Sequence, residues 1–522
     1  MSTPDLPPEL WLEILSYLPR TYIYKMMGLN RLLFELAMQD KYEEIRLISD
    51  DKNMLNTFEQ LRHDNISRLV RRLYLRPAFL PGIDEPENME EDDDSSLVTS
   101  FSWLSMFSSK DKPHRSTNET AHRILIAAGK ALPKCQNLRE IVIIIYDHVI
   151  TNSFQTFLSS LWRSIGDGIQ KLTVATTLIK IPKLLKYISE HAQRLPHLES
   201  LDITIVNSRF PIEQDTELIA ARALVNAIQG FKGTLEHLTL SSVAQYDFSP
   251  LFKQLGNLPK LRKLELWFIL CRTTLSNGQT LVDFLRANQD NLEHLVLRPR
   301  PRFETFLFAQ DTLRDWVLQD FPNVASLPRL KTLDLGHKYT GHISSYIPPW
   351  NSSENPDHLP TLPSFLPQLQ SLKLTNTAFS LKGVNHVLEA VGGQISSLQI
   401  HVWSFSPGIL SLLVTKAPNL ASLHLTYDSL DAKDELTDVP RSSASPAMDN
   451  IYLIIKARRY PKWPLEYLRI GSKKSCGECH PDTYLANTIV EALSREIVVD
   501  SNYVCFCDGR FRMPGLSSLS DL

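Results

Sequence analysis

The sequence repeats one short apolar pattern in Leu235-Glu-His-Leu-Thr-Leu240, Leu261-Arg-Lys-Leu-Glu-Leu266 and Leu292-Glu-His-Leu-Val-Leu297. In each stretch the first two apolar positions are three residues apart, and the last two are two residues apart. Side chains two residues apart point to the same face of a β-strand. Each stretch therefore predicts a short strand with one buried face.

The same pattern recurs along most of the chain, with Ile or Val allowed at the Leu positions. The other copies are Val70-x-x-Leu73-x-Leu75, Leu138-x-x-Ile141-x-Ile143, Ile169-x-x-Leu172-x-Val174, Leu198-x-x-Leu201-x-Ile203, Leu330-x-x-Leu333-x-Leu335, Leu369-x-x-Leu372-x-Leu374, Ile395-x-x-Leu398-x-Ile400, Leu420-x-x-Leu423-x-Leu425 and Leu465-x-x-Leu468-x-Ile470. From Leu138 onward the copies are 25 to 45 residues apart. Chance explains one or two such matches but not twelve, so we interpret the chain as a repeat protein.

Segments with a helical pattern lie between the predicted strands, for example at 215–230, 280–288 and 382–391. One strand and one helix cannot bury their own apolar faces, whereas stacked units bury a continuous core. We therefore predict an α/β fold, an irregular solenoid with parallel strands on its concave side and helices outside. This pattern resembles the leucine-rich-repeat family.

The asparagine that usually follows the strand in that family is absent from this chain. Its position is occupied by Val243, Ile269, Arg300, Lys338, Thr377 and Asp428. Without a ladder of asparagines to connect the turns, we expect irregular coils, in agreement with the uneven spacing.

The N-terminal residues have a different, helical pattern. Leu10, Ile14 and Leu18 recur every four residues, which predicts a helix with one apolar stripe that ends at Pro19. Further apolar residues predict two more short helices before residue 38.

This N-terminal region resembles an F-box, in particular the fungal form, over about 43 residues. The resemblance rests on Leu6-Pro7-Pro8-Glu9-Leu10-Trp11-x-Glu13-Ile14-Leu15-x-Tyr17-Leu18-Pro19 followed by Leu29-Asn30-Arg31-x-x-Phe34-x-Leu36-Ala37. In the F-box family this module docks on the adaptor subunit of an SCF (cullin–RING) ubiquitin ligase. The resemblance implies adaptor contacts at Leu6, Pro7, Ile14, Leu15, Leu18 and Phe34.

Two functions are consistent with this organisation. The resemblance implies a substrate-recognition subunit of an SCF E3 ubiquitin ligase, in which the F-box docks the adaptor and the repeats bind a target protein. Such a subunit is not itself an enzyme and needs no cofactor. The alternative is a leucine-rich-repeat interaction scaffold with no ligase role, whose N-terminal helices only cap the solenoid.

The expected domain boundaries follow from these patterns and from composition. We predict an F-box at 1–48, a connecting helix and first repeat strand at 49–80, a disordered acidic and Ser-rich insert at 81–119, the solenoid at 120–500 and a tail at 501–522. The insert contains eight acidic residues between positions 84 and 94. A run of like charge usually stays solvated, although it could also bind a basic partner.

Composition and charge exclude several functional classes. The net charge of −3 gives no polycation for nucleic acid, and no apolar run is long enough to span a membrane. Six cysteines in 522 residues fit a reducing compartment, and the N-terminal sequence lacks the pattern of a secretion signal. We expect a soluble protein located in the cytoplasm, the nucleus or both.

Motifs for catalysis and metal binding are weak or absent. Phosphate-binding glycine loops, nucleophile elbows and zinc-protease motifs do not occur in the sequence. Cys476, Cys479, Cys505 and Cys507 could supply four thiolates to a structural zinc, but the second pair has an uncommon C-x-C spacing. Ordinary packing of these cysteines is the favoured interpretation.

Side chains that alternate with the buried strand positions should form the concave surface. The candidate substrate-binding residues on it are His237, Glu265, Trp267, His294, Arg298, Asp334, Lys373, His401 and His424. This mixed, aromatic-containing surface is typical of protein recognition.

Overall fold

The computed structural model describes residues 7–17, 20–29, 31–49, 51–77, 79–80, 118–146, 148–207, 214–243, 246–268, 270–298, 326–335, 366–431, 447–472, 480–481, 483–493 and 497–499. The chain divides into two compact units, Met1–Thr234 and Leu235–Leu522.

Each unit contains a sheet whose strands follow chain order. The strands of the first unit are β1 Glu44–Leu47, β2 Arg72–Leu75, β3 Glu140–Ile145, β4 Lys171–Thr177 and β5 Ser200–Val206. The strands of the second unit are β6 His237–Ser242, β7 Lys263–Trp267, β8 His294–Leu297, β9 Thr332–Asp334, β10 Ser371–Phe379, β11 Ser397–Phe405, β12 Ser422–Leu430, β13 Tyr467–Ser472, β14 His480–Pro481 and β15 Val498–Val499. Consecutive strands within each unit pair in parallel as far as β13. The short β14 pairs with β13 in antiparallel orientation, and β15 also pairs with β13, in parallel, outside the chain order.

Helices connect the strands and supply the other layer. They are α1 Pro8–Ser16, α2 Arg20–Met26, α3 Arg31–Tyr42, α4 Lys52–Gln60, α5 Asp64–Ser67, α6 Asn118–Ala131, α7 Asn152–Ile165, α8 Ile181–Glu190, α9 Gln214–Gly230, α10 Ser249–Leu255, α11 Gly278–Ala287, α12 Leu381–Val391, α13 Pro407–Lys416, α14 Ala447–Arg458 and α15 Thr483–Leu493. Short 3₁₀ turns occur at Leu132–Lys134, Gly166–Gly168, Leu178–Lys180 and Ala192–Arg194. The helices predicted near 215–230, 280–288 and 382–391 correspond to α9, α11 and α12.

Local sequence determines where several of these helices begin. The side chains of Asp51, Thr151, Asn277 and Ser380 each accept a hydrogen bond from a backbone N–H in the first turn of the following helix. Such N-caps satisfy a donor that the helix itself leaves unpaired.

The predicted repeat is confirmed by the burial of its apolar residues. All twelve copies contribute a strand, and each of their three apolar side chains is at most 2% exposed. The first position packs just before the strand, and the other two share the face that the helices cover. Each unit is therefore a stack of leucine-rich repeats, an α/β solenoid architecture.

Backbone hydrogen bonds connect successive turns in place of an asparagine ladder. At the start of a strand, two consecutive N–H groups donate to one carbonyl oxygen of the preceding turn. Arg139 and Glu140 donate in this way to Arg71 O at 2.8 and 3.1 Å, and Ala421 and Ser422 donate to Ser396 O at 2.8 and 2.9 Å. This pairing fixes the register of each turn independently of side-chain identity, so spacing between repeats can vary.

One buried asparagine adds a side-chain connection in the second unit. Asn288 follows α11 and is 1% exposed. Its Nδ2 donates to Phe284 O at 2.7 Å and to Gly256 O at 3.2 Å, and its Oδ1 accepts from Leu258 N at 2.7 Å. The side chain thus joins the ends of two successive helices. Gly256 itself has a positive φ of 59°, a conformation that favours glycine.

The N-terminal region contains three helices followed by a strand that the sequence interpretation did not predict. Strand β1 pairs in parallel with β2 and continues the first unit's sheet. Its pattern, Tyr42-x-x-Ile45-x-Leu47, is a repeat copy with Tyr at the first apolar position, and all three side chains are buried. Restricting that position to Leu, Ile or Val concealed this copy.

Candidate functional site

The sheet of the second unit exposes one face, formed by residues that alternate with the buried apolar positions. We call this the open face. On β7 it carries Lys263, Glu265 and Trp267, which are half-buried where Leu264 and Leu266 are fully buried. The alternation follows from the two-residue period of a strand.

An aromatic and charged cluster begins on β7 and continues to the next strand. Glu265 accepts a hydrogen bond from Trp267 Nε1 at 2.8 Å and lies 2.5 Å from Lys263 Nζ. The guanidinium of Arg298, just after β8, lies 5.3 Å from the centre of the Trp267 ring. This distance corresponds to a cation–π interaction, so the indole is held on two sides.

The cluster continues through Asp334 on β9. Two nitrogens of the Arg298 guanidinium donate hydrogen bonds to the Asp334 carboxylate, Nε to Oδ1 at 2.9 Å and Nη2 to Oδ2. Lys373 Nζ on β10 lies 3.8 Å from the same carboxylate. Asp334, predicted as a candidate substrate-binding residue, is 3% exposed. The side chain instead organises two cations around one buried carboxylate.

The histidines of the open face lie in different environments. His294 on β8 is half-buried, and burial lowers its pKa from the ordinary 6.5, an effect that Glu293 opposes and Lys263 and Lys331 reinforce. His237 is exposed. His401 on β11 is 3% exposed, with Nε2 3.1 Å from Asp428 Oδ1. His401, another candidate substrate-binding residue, is therefore part of a polar pair with Asp428.

From β10 to β13 the open face presents hydrogen-bond donors in register. Lys373 pairs with Gln399, Gln399 pairs with His424, and His424 pairs with Arg469. We call these four residues the donor row. Sequence analysis selected Lys373 and His424 but omitted Gln399 and Arg469, although strand alternation alone places all four on the same face.

The corresponding face of the first unit has a self-compensating pattern of charge. Arg72 contacts Glu44 at 3.1 Å and Glu140 at 2.6 Å, and Lys171 lies 2.9 Å from Glu140. These residues occupy the same register position on β1 to β4. Alternating signs on adjacent strands stabilise the stack itself.

The N-terminal helices form a second candidate interaction surface. These helices and the turns that follow α1 and α2 expose a set of large apolar side chains, namely Leu10, Ile14, Tyr17, Tyr22, Tyr24, Met27, Leu29 and Phe34. Exposure ranges from 38% for Tyr24 to 80% for Tyr17. Leu33, Ala37 and Tyr42 of α3 are buried, so this helix has one face within the protein and another available to a partner.

Four of the six predicted adaptor contacts fall among the described residues. Pro7, Ile14 and Phe34 are exposed, and Leu15 lies in α1. Leu6 and Leu18 lie outside the described residues.

Other sequence predictions can be placed only in part. The four cysteines considered for zinc and the acidic positions 84–94 lie outside the described residues. Within the described part of the chain, no group of three or more His, Cys, Asp or Glu side chains is arranged to hold a metal ion. Cys135 and Cys271 are both free and buried, and burial raises the pKa of Cys135 to about 12. None of the described helices combines the length and apolar character required to cross a bilayer.

Comparisons with known proteins yielded structural likeness alone. No protein-family model matches the chain. No curated protein matches it either. Among solved structures, the leucine-rich-repeat-containing protein LegL7 from Legionella pneumophila is 11% identical, with a TM-score of 0.34 over 79% of this chain and 97% of that one. A chain from the yeast Rad7 and Elc1 complex is 15% identical, with a TM-score of 0.27 over 63% of this chain and 88% of that one.

Proposed function

We propose that the chain is a substrate-recognition subunit of an SCF-type ubiquitin ligase. The N-terminal helices would dock the adaptor as an F-box, and the open face of the repeats would bind a target protein. The chain would contribute no covalent chemistry. It would accelerate ubiquitin transfer by holding the target near the charged ubiquitin carrier, which raises the effective concentration of the reactants.

The observation that carries this proposal is the exposed apolar surface of α1 to α3. Ile14 and Phe34, two positions that match adaptor contacts of the F-box family, are 40% and 49% exposed. Large apolar side chains grouped on a small helical segment usually mark an interface, because the exposure of apolar surface to water is unfavourable. Their exposure supports docking of a partner more than a role in the core of a cap.

The proposal is tested by binding of the full chain to a purified SCF adaptor subunit. We expect the double substitution Ile14→Asp and Phe34→Asp to abolish binding, because each places a carboxylate where the adaptor would bury an apolar group. The matched control is Ile126→Asp, which changes an Ile that is 44% exposed on α6. Adaptor binding that survives the double substitution, or is absent from the unaltered chain, would contradict the proposal.

A scaffold without a ligase role remains the second candidate, and one observation favours it. Helix α3 contacts β1, and its buried side chains Leu33, Ala37 and Tyr42 belong to the end of the repeat stack. Helix α3 therefore also covers the end of the repeat stack. Deletion of 1–48 would therefore remove strand β1 and part of the core. The substitutions Ile14→Asp and Phe34→Asp discriminate the two candidate functions better than this deletion does.

A further inference from the structure

We propose that residues 97–107, which belong to the acidic and Ser-rich insert, dock on an apolar patch along one edge of the first unit. The patch consists of Val149, Ile179, Leu218 and Ile219, and we call it the edge patch. This inference concerns the first unit alone. It does not depend on the proposed ligase function, because neither the adaptor nor a target takes part in the contact.

The edge patch is formed by aliphatic side chains that are exposed in three successive turns of the stack. Val149 follows β3 and is 40% exposed, and Ile179, in the 3₁₀ turn after β4, is 42% exposed. Leu218 and Ile219, near the start of α9, are 48% and 52% exposed. Exposed apolar side chains that recur in neighbouring turns indicate a surface that another segment or molecule covers.

The four residues lie along the same edge of the sheet, because β3, β4 and β5 pair in parallel and in register. Ile145 on β3 pairs with Thr176 on β4, and Thr176 pairs with Ile205 on β5. The connections beyond the strands also meet. Lys180 Nζ donates a hydrogen bond to Tyr146 O, and the 3₁₀ turn after β4 contacts α9. With adjacent strands about 4.8 Å apart, the patch extends for about 10 Å across the three turns.

The insert begins and ends at this edge. Leu80, the last described residue before it, is 5% exposed, and its carbonyl oxygen lies 2.9 Å from Nδ1 of His148, the neighbour of Val149 in sequence. The described chain resumes at Asn118, where α6 begins. A helix that connects two parallel strands runs back across the sheet, so α6 begins at the edge where β2 ends.

The amino-acid sequence of residues 97–107 suits an apolar surface. Seven of its eleven residues are apolar, and Phe101, Trp103 and Phe107 are aromatic. Chains that remain unfolded are typically poor in aromatic residues, because aromatic side chains favour burial. The acidic run at 84–94 precedes this stretch and shares none of its apolar character. The insert therefore contains a second part, with a composition that predicts docking.

The chain on either side of residues 97–107 is long enough to allow this contact. Seventeen residues separate Leu80 from Leu97, and eleven separate Phe107 from Asn118. Fully extended, these linkers reach about 55 Å and about 35 Å. A segment tethered by linkers that span the distance has an effective concentration in the millimolar range. A second copy of the chain at micromolar concentration would need a contact about a thousandfold tighter to fill the patch equally, so the chain's own segment is the favoured occupant.

The proposal is tested by chymotrypsin cleavage of the full chain under native conditions, with cuts within 97–107 identified by mass spectrometry. We expect Ile179→Asp combined with Leu218→Asp to increase the cleavage rate at least about fivefold, because carboxylates in the patch disfavour the docked state and the protease cuts the undocked one. The matched control is Leu453→Asp on α14 of the second unit, which alters a side chain that is 63% exposed and should leave the rate unchanged. Equal rates in the unaltered chain and the double variant would overturn the proposal.

Peptide binding provides a second measurement that does not require substitutions in the patch. Phe101→Ser combined with Trp103→Ser should leave the edge patch open. A labelled synthetic peptide of residues 95–112 should bind this variant at least about tenfold more tightly than the unaltered chain, whose own segment competes with the peptide. Equal affinity for the two chains would contradict docking of residues 97–107.

Light scattering distinguishes the chain's own segment from a second copy as the occupant. Under the proposal, the molar mass of the unaltered chain and that of the Ile179→Asp and Leu218→Asp variant are equal at every protein concentration. A dimer that these two substitutions dissociate would overturn the proposal, because it would show that another copy covers the edge patch.

Discussion

The repeats and the N-terminal helices use the same kinds of apolar side chain in opposite ways. In the twelve predicted repeats, the apolar positions are at most 2% exposed, whereas five large side chains in α1 to α3 are 38% to 49% exposed, namely Leu10, Ile14, Tyr22, Tyr24 and Phe34. Repeat side chains are covered by the next turn of the same chain. Helix α3 is buried on one side only, and under the proposed function an adaptor would bury the exposed apolar side chains of the N-terminal helices. Apolar composition alone therefore does not distinguish core from interface.

The largest expected effect tests this contrast directly. Leu398→Ala in β11 should lower the free energy of unfolding by about 2–5 kcal/mol, because it leaves a cavity at a fully packed position. Leu10→Ala in α1 should change it by less than about 0.5 kcal/mol, since the side chain is 44% exposed. Urea unfolding of both variants measures the difference. Similar losses would show that Leu10 belongs to the core.

A smaller effect is expected from the buried asparagine. Asn288→Ala should lower the free energy of unfolding by about 1–3 kcal/mol, because the N–H of Leu258 and the carbonyls of Gly256 and Phe284 lose a buried partner. The matched control is Asn419→Ala, whose exposed side chain donates to Gly393 O at 3.0 Å. Thermal unfolding should show the control close to the unaltered chain. Equal shifts for the two variants would indicate that burial does not set the cost.

The smallest effect concerns the charges of the first unit. Burial alone would raise the pKa of Glu140, but hydrogen bonds and charges from Lys171 and Arg72 outweigh it and hold the pKa below the ordinary 4.5. A lowered folded pKa means that the contribution to stability is complete above about pH 4.5 and is lost as pH falls through the folded value. Glu140→Gln should therefore lower the free energy of unfolding by about 1 kcal/mol at pH 7, and by progressively less as the pH falls.

This third prediction is checked by unfolding the unaltered chain and the variant from pH 7 down to pH 3. The two stability curves should converge at the acidic end. A difference that stays constant over this range would mean that the Gln substitution acts through packing instead of charge.

The repeat architecture could be predicted because it depends on a local pattern. A spacing of three and then two residues places side chains on one face of a strand wherever it occurs, so twelve strands were located correctly. Strand β1 was missed only because the pattern allowed Leu, Ile or Val at its first apolar position, where this copy has Tyr42. The same alternation placed Trp267, Arg298 and Lys373 on the open face.

Other features depended on contacts between residues that are distant in sequence. Alternation placed Asp334 and His401 on the open face but did not predict that both are 3% exposed, because it does not specify which side chains from other strands cover them. Arg298, 36 residues earlier in the chain, covers Asp334, and His401 pairs with Asp428. Asn288 gave no signal in the sequence, since its function arises from the meeting of two helix ends.

The sequence by itself determined the strand positions, the stacking of turns and the difference between the repeats and the N-terminal region. These features follow from periodic burial, which is a property of short segments. Only the tertiary structure decided which polar residues compensate each other. That outcome depends on register across strands, where a side chain meets neighbours 25 to 70 residues away, and no local pattern specifies those neighbours.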